Sequence, residues 1–236
     1  MFLKKIIRDI GKGLLHLIYP KLCVDCHNAL VGQEEVLCIV CTDKIPLTKD
    51  ADRIHNETAL RFAGRIRFKH AISYAYFSEG GLLQRLMHLL KYKKHRPIAV
   101  FLGRRLGYML KNTSWIMDID VIVPVPLHPT KVKKRGFNQS EIIAASMAEI
   151  LNITLDTQSL IRIKNTESQT NKSRAQRAEN MKDVFGLSNS AQLKGKKVLL
   201  LDDILTTGAT LESCITSLQK VDGIEVSIVT IGLAID

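Results

Sequence analysis

The chain has 236 residues and a formal net charge of +11. This length suits one substantial α/β core with a small additional module. The positive charge favours polyanionic partners, such as nucleic acid, acidic membranes or pyrophosphate-bearing substrates, but does not choose among them. Aromatic residues make up only 6% of the chain, and Trp115 is the single tryptophan, so a base-stacking platform for single strands is not evident.

The first twenty residues, MFLKKIIRDIGKGLLHLIYP, mix apolar and charged positions and show no small-residue cleavage site. They make a poor signal peptide, and no segment elsewhere approaches the uninterrupted apolar span that crosses a bilayer. The pattern predicts an amphipathic helix packed on the protein, with weak contact to a membrane surface as the alternative. We therefore expect a cytoplasmic protein.

Two C-x2-C pairs separated by eleven residues follow this segment. Two thiolate pairs at this spacing can converge on one Zn²⁺, and four thiolates leave no open coordination position, which indicates a structural role. Redox chemistry and plain thiols are the alternatives. We predict an N-terminal helix and a four-cysteine zinc module over residues 1–50 and the main domain over residues 51–236. The four predicted ligands are Cys23, Cys26, Cys38 and Cys41.

The middle of the chain alternates strand and helix patterns. Residues 42–69 are polar with little periodicity and are predicted to link the module to the core, and Ala71–Phe77 reads as a strand. Apolar residues at helical spacing over 82–90 predict a helix whose Lys91 points away from the apolar face. A second helix runs from Pro97 to about Lys111. Together residues 80–111 form a hood-like helical region, and the basic run LKYKKHR between the two helices is interpreted as a solvated face.

A second buried strand is predicted within Asp120–Pro126, because VIVPV is continuously apolar and its prolines force an extended or turned exit. The following loop, PLHPTKVKKRGFNQSE, is rich in groups able to hold an anion. Asn138 and Glu141 stand at capping-box spacing, which predicts a helix start there. In an open α/β sheet ligands gather at the carboxyl ends of strands, so this loop is expected to face a cleft.

The most informative segment is KKVLLLDDILTTGATLESCITSLQ, residues 196–219. Val198–Leu201 is a short apolar run typical of a parallel strand covered on both faces. Because side chains alternate across a strand, Asp202 and Asp203 can serve one ligand together only where that strand ends. The stripe of Leu211, Cys214, Ile215 and Leu218 predicts a helix that begins near 208–210, with Cys214 in the core.

The turn between this strand and helix is suited to a phosphate, because it combines hydroxyls, backbone N–H groups and a helix N-terminus. Acids for hydroxyls beside a phosphate cradle point to a sugar phosphate. A capped strand–turn–helix without a ligand is the alternative. The segment lacks the lysine of the G-x-x-x-x-G-K-[ST] loop, which argues against an ATPase or GTPase. The predicted phosphate-binding residues are Thr206, Thr207, Gly208, Ala209 and Thr210.

This segment resembles the phosphoribosyl-pyrophosphate (PRPP) signature of type I phosphoribosyltransferases. The resemblance implies an α/β fold with a parallel sheet flanked by helices. It also implies that Asp202 and Asp203 bind the ribose hydroxyls and that residues 206–210 surround the 5′-phosphate. Mg²⁺ would accompany PRPP, and the activity would be glycosyl transfer, with an acceptor that the sequence does not name.

The order of motifs along the whole chain is similar to that of the ComF (ComFC) family of competence-associated, phosphoribosyltransferase-like proteins. The motifs are the CxxC pairs, L-K-Y at 90–92, P-V-P-L-H at 124–128, R-G-F-N-Q at 135–139, Gln169 with Arg177 and Asn180, and D-D-x-x-T-T-G-A-T at 202–210. The resemblance implies a role in natural competence and DNA uptake. Implied partners are PRPP or a related ribose phosphate, single-stranded DNA and a competence helicase or ATPase.

The resemblance also implies further site residues. The pyrophosphate loop maps to Pro126, Leu127 and His128, and it is open whether His128 orients this loop or only caps it. Arg135, with Lys134, becomes a candidate for the leaving pyrophosphate, and an ordinary surface position is its alternative. Arg177 becomes a candidate for a mobile loop, although the spacing of SRAQRAEN equally fits an exposed helix.

Three functions therefore remain open: a phosphoribosyltransferase-like protein acting in competence, a silent PRPP-binding protein that contacts single-stranded DNA or a helicase, and a nucleobase salvage enzyme. The cysteine module disfavours the last. The sequence leaves the oligomeric state open, a homodimer included.

Overall fold

The computed structural model describes residues 19–48, 51–164 and 184–235. The helix predicted at the N-terminus lies outside these residues. The chain divides into two compact units, the first ending at Ile45 and the second beginning at Pro46. In the part of the chain that the structure describes, no helix is both long and apolar enough to span a bilayer.

The first unit is organised by short backbone contacts around the cysteines. Leu22 and Ala29 form an antiparallel bridge, and the N–H of Cys23 donates to the carbonyl of Asn28 at 2.8 Å. A short helix, Ile39–Asp43 (α1), begins directly after Cys38 and carries Cys41. Within its described residues the unit thus builds two cysteine-bearing turns around a few buried apolar side chains, Leu30, Val36, Leu37 and Ile45.

The second unit is built on a five-stranded, wholly parallel sheet with the order β1-β7-β6-β2-β3. A separate two-stranded antiparallel hairpin pairs β4 with β5. The strands are Ala71–Phe77 (β1), Val121–Pro124 (β2), Thr154–Leu155 (β3), Leu160–Arg162 (β4), Phe185–Leu187 (β5), Lys197–Leu205 (β6) and Glu225–Ala234 (β7).

Helices cover both faces of this sheet. After α1, the α-helices are Glu57–Leu60 (α2), Leu82–Tyr92 (α3), Pro97–Lys111 (α4), Pro129–Arg135 (α5), Gln139–Leu151 (α6) and Ala209–Leu218 (α7), and short 3₁₀ helices span Ile116–Asp118 and Ser190–Leu193. Helix α6 packs on β2, β3 and β6, and α4 packs in turn on α6. The predicted parallel α/β architecture is confirmed.

The central strand β6 shows why both faces must be covered. Val198 and Leu200 join one buried cluster with Cys214 and the rest of the α7 stripe. Leu199 and Leu201 are equally buried but lie on the opposite face, because side chains alternate along a strand. Burying every apolar side chain of the run is the main source of stability for this layer.

Residues 42–69 are more than the polar link that the sequence suggested. Leu47 bridges to Ala75 of β1, α2 contacts β1, and Phe62 is completely buried. The prediction was wrong because a few buried side chains in a short, irregular segment produce no detectable periodicity.

Candidate functional site

The site begins with a difference in length between two neighbouring strands. On one side β6 pairs with β2 only as far as Leu201, whose carbonyl accepts the N–H of Val125 at 2.8 Å. On the other side β6 continues beside β7 to Leu205. The prediction that the strand ends at the acid pair was wrong, because β6 continues beside β7 to Leu205. Asp202 and Asp203 lie beyond the end of the other neighbour, β2, whose pairing with β6 stops at Leu201. Because β2 ends first, the backbone of β6 next to the two acids is not paired on that side. Both carboxyl groups lie at this unpaired edge of the sheet.

Asp203 is buried and is held by donors on both of its oxygens. Its Oδ2 accepts Gln139 Nε2 at 2.8 Å and lies 2.6 Å from Lys91 Nζ, while its Oδ1 accepts the N–H of Ile204 at 2.7 Å. Burial alone would raise the pKa of Asp203, but the ammonium of Lys91 and these hydrogen bonds hold the pKa below its usual range. Asp203 is consequently an anion with a fixed orientation.

Asp202 has the opposite electrostatics. Its Oδ1 accepts the N–H of Asp203 at 2.8 Å and Ser140 Oγ at 3.4 Å. Burial and the neighbouring Asp203 carboxylate raise the pKa of Asp202 to about 7. Two adjacent carboxyl groups therefore have separated pKa values, an arrangement that recurs at functional sites.

The predicted phosphate loop follows directly, and its glycine is structurally required. Gly208 has φ +84° and precedes the first residue of α7, as the sequence predicted. A Cβ at this position would lie 2.8 Å from Cε1 of Phe62, so both the backbone conformation and the packing exclude a side chain. Thr206 is exposed, and Thr207 and Thr210 are partly exposed around the turn.

Among the arginines that follow α2, Arg65 contacts this turn. Arg65 donates to the carbonyl of Thr207 at 3.2 Å and forms an ion pair with Glu212 of α7. Arg61 donates to the carbonyl of Ala234 at 2.8 Å, at the end of β7. The segment that follows α2 is thus bonded to the turn, to α7 and to the end of β7. The sequence pattern gave no signal of these contacts.

The predicted pyrophosphate loop connects β2 to a helix that the sequence did not predict. Pro126, Leu127 and His128 are partly exposed, and α5 begins immediately after them. His128 caps this helix, because its Nδ1 accepts the N–H of Thr130 at 3.3 Å and lies 2.8 Å from Thr130 Oγ1. The segment was interpreted as a loop because most of its helical residues are basic or proline, which hides an apolar stripe.

The candidate residue Arg135 is connected to Asp203 through the side chain of Gln139. Its guanidinium donates to Gln139 Oε1, and the amide of Gln139 donates to Asp203. Gln139 lies at the start of α6, where Asn138 caps the helix through Ser140 N at 3.1 Å and also donates to the carbonyl of Val125. Lys134, by contrast, is exposed.

Three residues of the site were missed or misplaced from the sequence. Lys91 was expected to point away from the core but contacts Asp203. Lys131 and Arg162 are partly buried cations, and the pKa of Lys131 is lowered by burial and by the nearby charges of Arg162 and Arg135. The guanidinium carbon of Arg162 lies 5.3 Å from the centroid of the Phe185 ring, and the guanidinium interacts electrostatically with Asp202. These cations come from distant parts of the chain, so no local sequence motif predicted that they would meet.

Not every predicted residue can be placed. Gln169, Arg177 and Asn180 lie outside the described residues, between β4 and β5, so the role expected for Arg177 stays a prediction.

The four cysteines of the first unit form a separate candidate metal centre. The sulfur atoms of Cys23, Cys26, Cys38 and Cys41 all lie within 4.8 Å of one another, and those of Cys26 and Cys38 are 3.6 Å apart. A tetrahedral site with Zn–S bonds of about 2.3 Å needs sulfur separations of about 3.8 Å, so the cluster could hold a structural metal such as zinc. Burial would raise the pKa of Cys23, but nearby backbone N–H groups lower it to about 6, whereas burial and the neighbouring thiols raise the pKa of Cys41. A metal cation would therefore be needed to hold all four groups as thiolates.

Comparison with known families agrees with the geometry of the main unit. Residues 137–232 match the model of the phosphoribosyl transferase domain. This range contains the acid pair, the threonine turn and Gln139, but not Lys91, Phe62 or Arg135. This part of the chain, about two fifths of its length, is therefore similar to phosphoribosyl transferase domains.

Curated relatives are proteins of DNA use and competence. The DNA utilization protein YhgH of Salmonella typhimurium is 34% identical over 131 residues, 54% of this chain and 57% of that protein. Competence protein F of Haemophilus influenzae is 32% identical over 116 residues, 49% of this chain and 50% of that protein. The chain thus spans about half the length of the curated relatives it matches.

A hypoxanthine phosphoribosyltransferase from Staphylococcus aureus is 19% identical over 57% of this chain and 62% of its own, with a TM-score of 0.37. The domain match and the curated relatives agree with the resemblance described above: part of the chain is similar to phosphoribosyl transferase domains, and about half of it is similar to proteins named for DNA utilization and competence.

The raised pKa of Asp202 predicts a pH-dependent stability. A carboxyl whose pKa is higher in the folded than in the unfolded chain stabilises the fold at low pH, and this contribution is lost as pH rises from about 4 to about 7. The difference in unfolding free energy between wild type and Asp202→Asn should therefore fall by roughly 1–3 kcal/mol between pH 5 and pH 8, measured by urea denaturation.

Asp222→Asn is the matched control, since Asp222 is an exposed carboxyl paired with Lys194 only at 3.7 Å. Its difference from wild type should stay constant over the same range. Parallel curves for wild type and Asp202→Asn would contradict the raised pKa.

Proposed function

We propose that this protein binds PRPP or a related ribose phosphate, together with Mg²⁺, and acts in DNA uptake. One observation carries the proposal: two carboxyls with separated pKa values stand at an open strand edge, directly before a glycine turn that starts a helix. Carboxylates suit ribose hydroxyls, and the N-terminal N–H groups of a helix suit a phosphate.

Each residue has a distinct role in this proposal. Asp202 and Asp203 accept the ribose hydroxyls, and residues 206–210 bind the 5′-phosphate. Arg135, with Lys131 and Arg162 nearby, provides positive charge for a departing pyrophosphate. Mg²⁺ would enter with the phosphate oxygens of the substrate, which are the ligands it prefers.

If transfer occurs, the bond between ribose C1 and the pyrophosphate oxygen breaks while an acceptor nitrogen attacks C1. The protein's contribution is electrostatic, because positive charge stabilises the leaving group while the sugar and its 5′-phosphate stay fixed.

Replacing both acids tests the site. Asp202→Asn with Asp203→Asn should abolish PRPP binding, measured by calorimetry with Mg²⁺, because both hydroxyl acceptors lose their charge. Circular dichroism should show the fold retained, and Asp222→Asn should bind like wild type. Undiminished binding by the double variant would refute the assignment.

Whether the protein transfers the phosphoribosyl group is tested with the same protein, PRPP and Mg²⁺. Incubation with PRPP, Mg²⁺ and a panel of nucleobases should release pyrophosphate if the protein is a transferase. PRPP binding without release across the panel would favour a regulatory binding protein.

Direct contact with single-stranded DNA is the second candidate function, and a basic surface favours it. Lys93, Lys94 and Arg96 follow α3, and Lys133 and Lys134 lie on α5; all five are exposed. Arg96 joins the two groups, because it donates to the carbonyl of Gly136 at 3.0 Å and lies over the Phe137 ring at 5.0 Å. We call these five cationic residues the basic ridge. A contiguous ridge of cations suits a phosphate backbone.

Salt dependence tests this contact. Each phosphate neutralised on a single strand contributes about 0.7 to the slope of log affinity against log salt. Replacing Lys93, Lys133 and Lys134 by Gln should weaken binding and lower the slope by about 2, measured by fluorescence anisotropy. Replacing Lys194, Lys196 and Lys220 removes the same charge elsewhere and should change the slope little. Negligible affinity of the wild type at physiological salt would indicate a protein partner, such as a helicase, instead.

We also propose that the cysteine cluster holds one structural Zn²⁺ and that the protein is cytoplasmic. All five cysteines are free, which fits a reducing compartment. Four thiolates around zinc would stabilise a unit whose described residues bury only a few apolar side chains.

Elemental analysis tests the metal. The wild type should contain one zinc per chain, and Cys38→Ser should lose it, because three thiolates bind zinc much more weakly than four. Cys214→Ala is the control, since Cys214 is completely buried in the other unit, and should retain the metal. A zinc-free wild type after refolding with zinc would contradict the proposal.

A further inference from the structure

Lys91 forms an ion pair with the acid pair, although it comes from a part of the chain outside the phosphoribosyl transferase match. It is the penultimate residue of α3, and its Nζ lies 2.6 Å from Asp203 Oδ2. The side chains of Lys91 and Asp203 are 24% and 10% exposed. The pair is therefore shielded from solvent, where an interaction between charges is stronger than at an open surface.

The contacts of Asp203 leave its carboxylate little rotational freedom. Lys91 and Gln139 both donate to Oδ2, and the backbone N–H of Ile204 donates to Oδ1. Charge-assisted hydrogen bonds of this kind are short and directional. Lys91 brings the only formal positive charge among these three donors, so it is the contact that favours the anion most.

The same contacts extend to the basic side of the site. The NH₂ group of the Gln139 side chain donates to Asp203, so its Oε1 points towards Arg135. This oxygen accepts a hydrogen bond from the Arg135 guanidinium. A continuous chain, Lys91–Asp203–Gln139–Arg135, thus joins α3, β6, α6 and the end of α5. We call this the four-residue relay.

Loss of the ammonium would affect the whole relay. Asp203 would then lose its directly bonded countercharge while still facing Asp202 in a largely buried setting, which favours sharing one proton between the two carboxyls over ionising both. A protonated Asp203 can donate to Gln139, which allows the amide to turn and release Arg135.

We propose that Lys91 is a positioning residue of the ribose-phosphate site: its ammonium holds Asp203 as an oriented anion and, through Gln139, directs the guanidinium of Arg135. The part of this inference that concerns ribose rests on the proposed function. The opposite role would be that of a plug, in which Lys91 occupies Asp203 and must be displaced by the ligand. The two roles predict opposite effects of removing the charge.

Ligand affinities separate the two roles. Lys91→Met should weaken binding of ribose 5-phosphate at least about tenfold at pH 7, because truncating one partner of a buried charge pair leaves the other uncompensated. Binding of inorganic phosphate in the threonine turn should change less than about twofold, since the charge partner of Lys91 is Asp203, which precedes that turn. Tighter or unchanged binding of ribose 5-phosphate would overturn the proposal.

Three further variants exclude a merely structural effect. Lys91→Arg retains the charge and should restore most of the affinity for ribose 5-phosphate, whereas Gln139→Leu should reproduce the loss seen with Lys91→Met. Lys111→Met, at the exposed end of α4, removes the same charge elsewhere and should bind like wild type. Failure of Lys91→Arg to restore binding would contradict a role based on charge.

A measurement without ligand keeps this inference separate from the proposed function. In NMR spectra of the free protein, the side-chain amide of Gln139 and the Nε–H of Arg135 should shift in Lys91→Met, return in Lys91→Arg and stay unchanged in Lys111→Met. Unshifted signals in Lys91→Met would overturn the relay. If the wild type binds neither ribose 5-phosphate nor PRPP, the proposed function fails, and these spectra alone decide whether Lys91 positions Arg135.

Discussion

Two carboxyl groups on consecutive residues of one buried strand are the constraint around which the main unit is arranged. Two like charges this close in a weakly solvated setting repel each other, so the surroundings must either neutralise one or compensate both. The structure compensates Asp203 with Lys91, whereas burial and the Asp203 carboxylate raise the pKa of Asp202 to about 7. Asp203 is therefore an oriented anion and Asp202 titrates in the neutral range, although both belong to the same two-residue motif.

The compensation draws on elements that are distant in the chain. Lys91 comes from α3, Gln139 from the start of α6, and Arg162 from the end of β4. Short β2 makes this convergence possible, because it ends at Pro124 while β6 continues and exposes an edge. The turn at Gly208 completes that edge, and Phe62 packs so closely behind it that no side chain fits. The geometry of the glycine turn and the electrostatics of the acid pair thus depend on different parts of the chain.

The features of the main site come from different parts of the chain. The family match covers the acid pair, the turn and Gln139, whereas Lys91, the basic ridge and the cysteine cluster lie outside it. Relatives named for DNA utilization and competence share about half of their length with this chain. The domain match by itself therefore does not account for Lys91, the basic ridge or the cysteine cluster.

Strong local patterns decided much of this protein from the sequence alone. The apolar run at 198–201, the stripe on α7 and the extents of β1 and α4 follow from periodicity, which reports burial against a sheet. Cysteine spacing likewise predicted the cluster, because the two thiolates of each C-x2-C pair converge within one turn. Tertiary structure alone decided that Lys91 faces the acids, that residues 57–65 support the phosphate turn and that the loop after β2 contains α5. Those features depend on which distant segments meet at a strand edge, and a single charged or aromatic side chain carries no periodic signal of such a meeting.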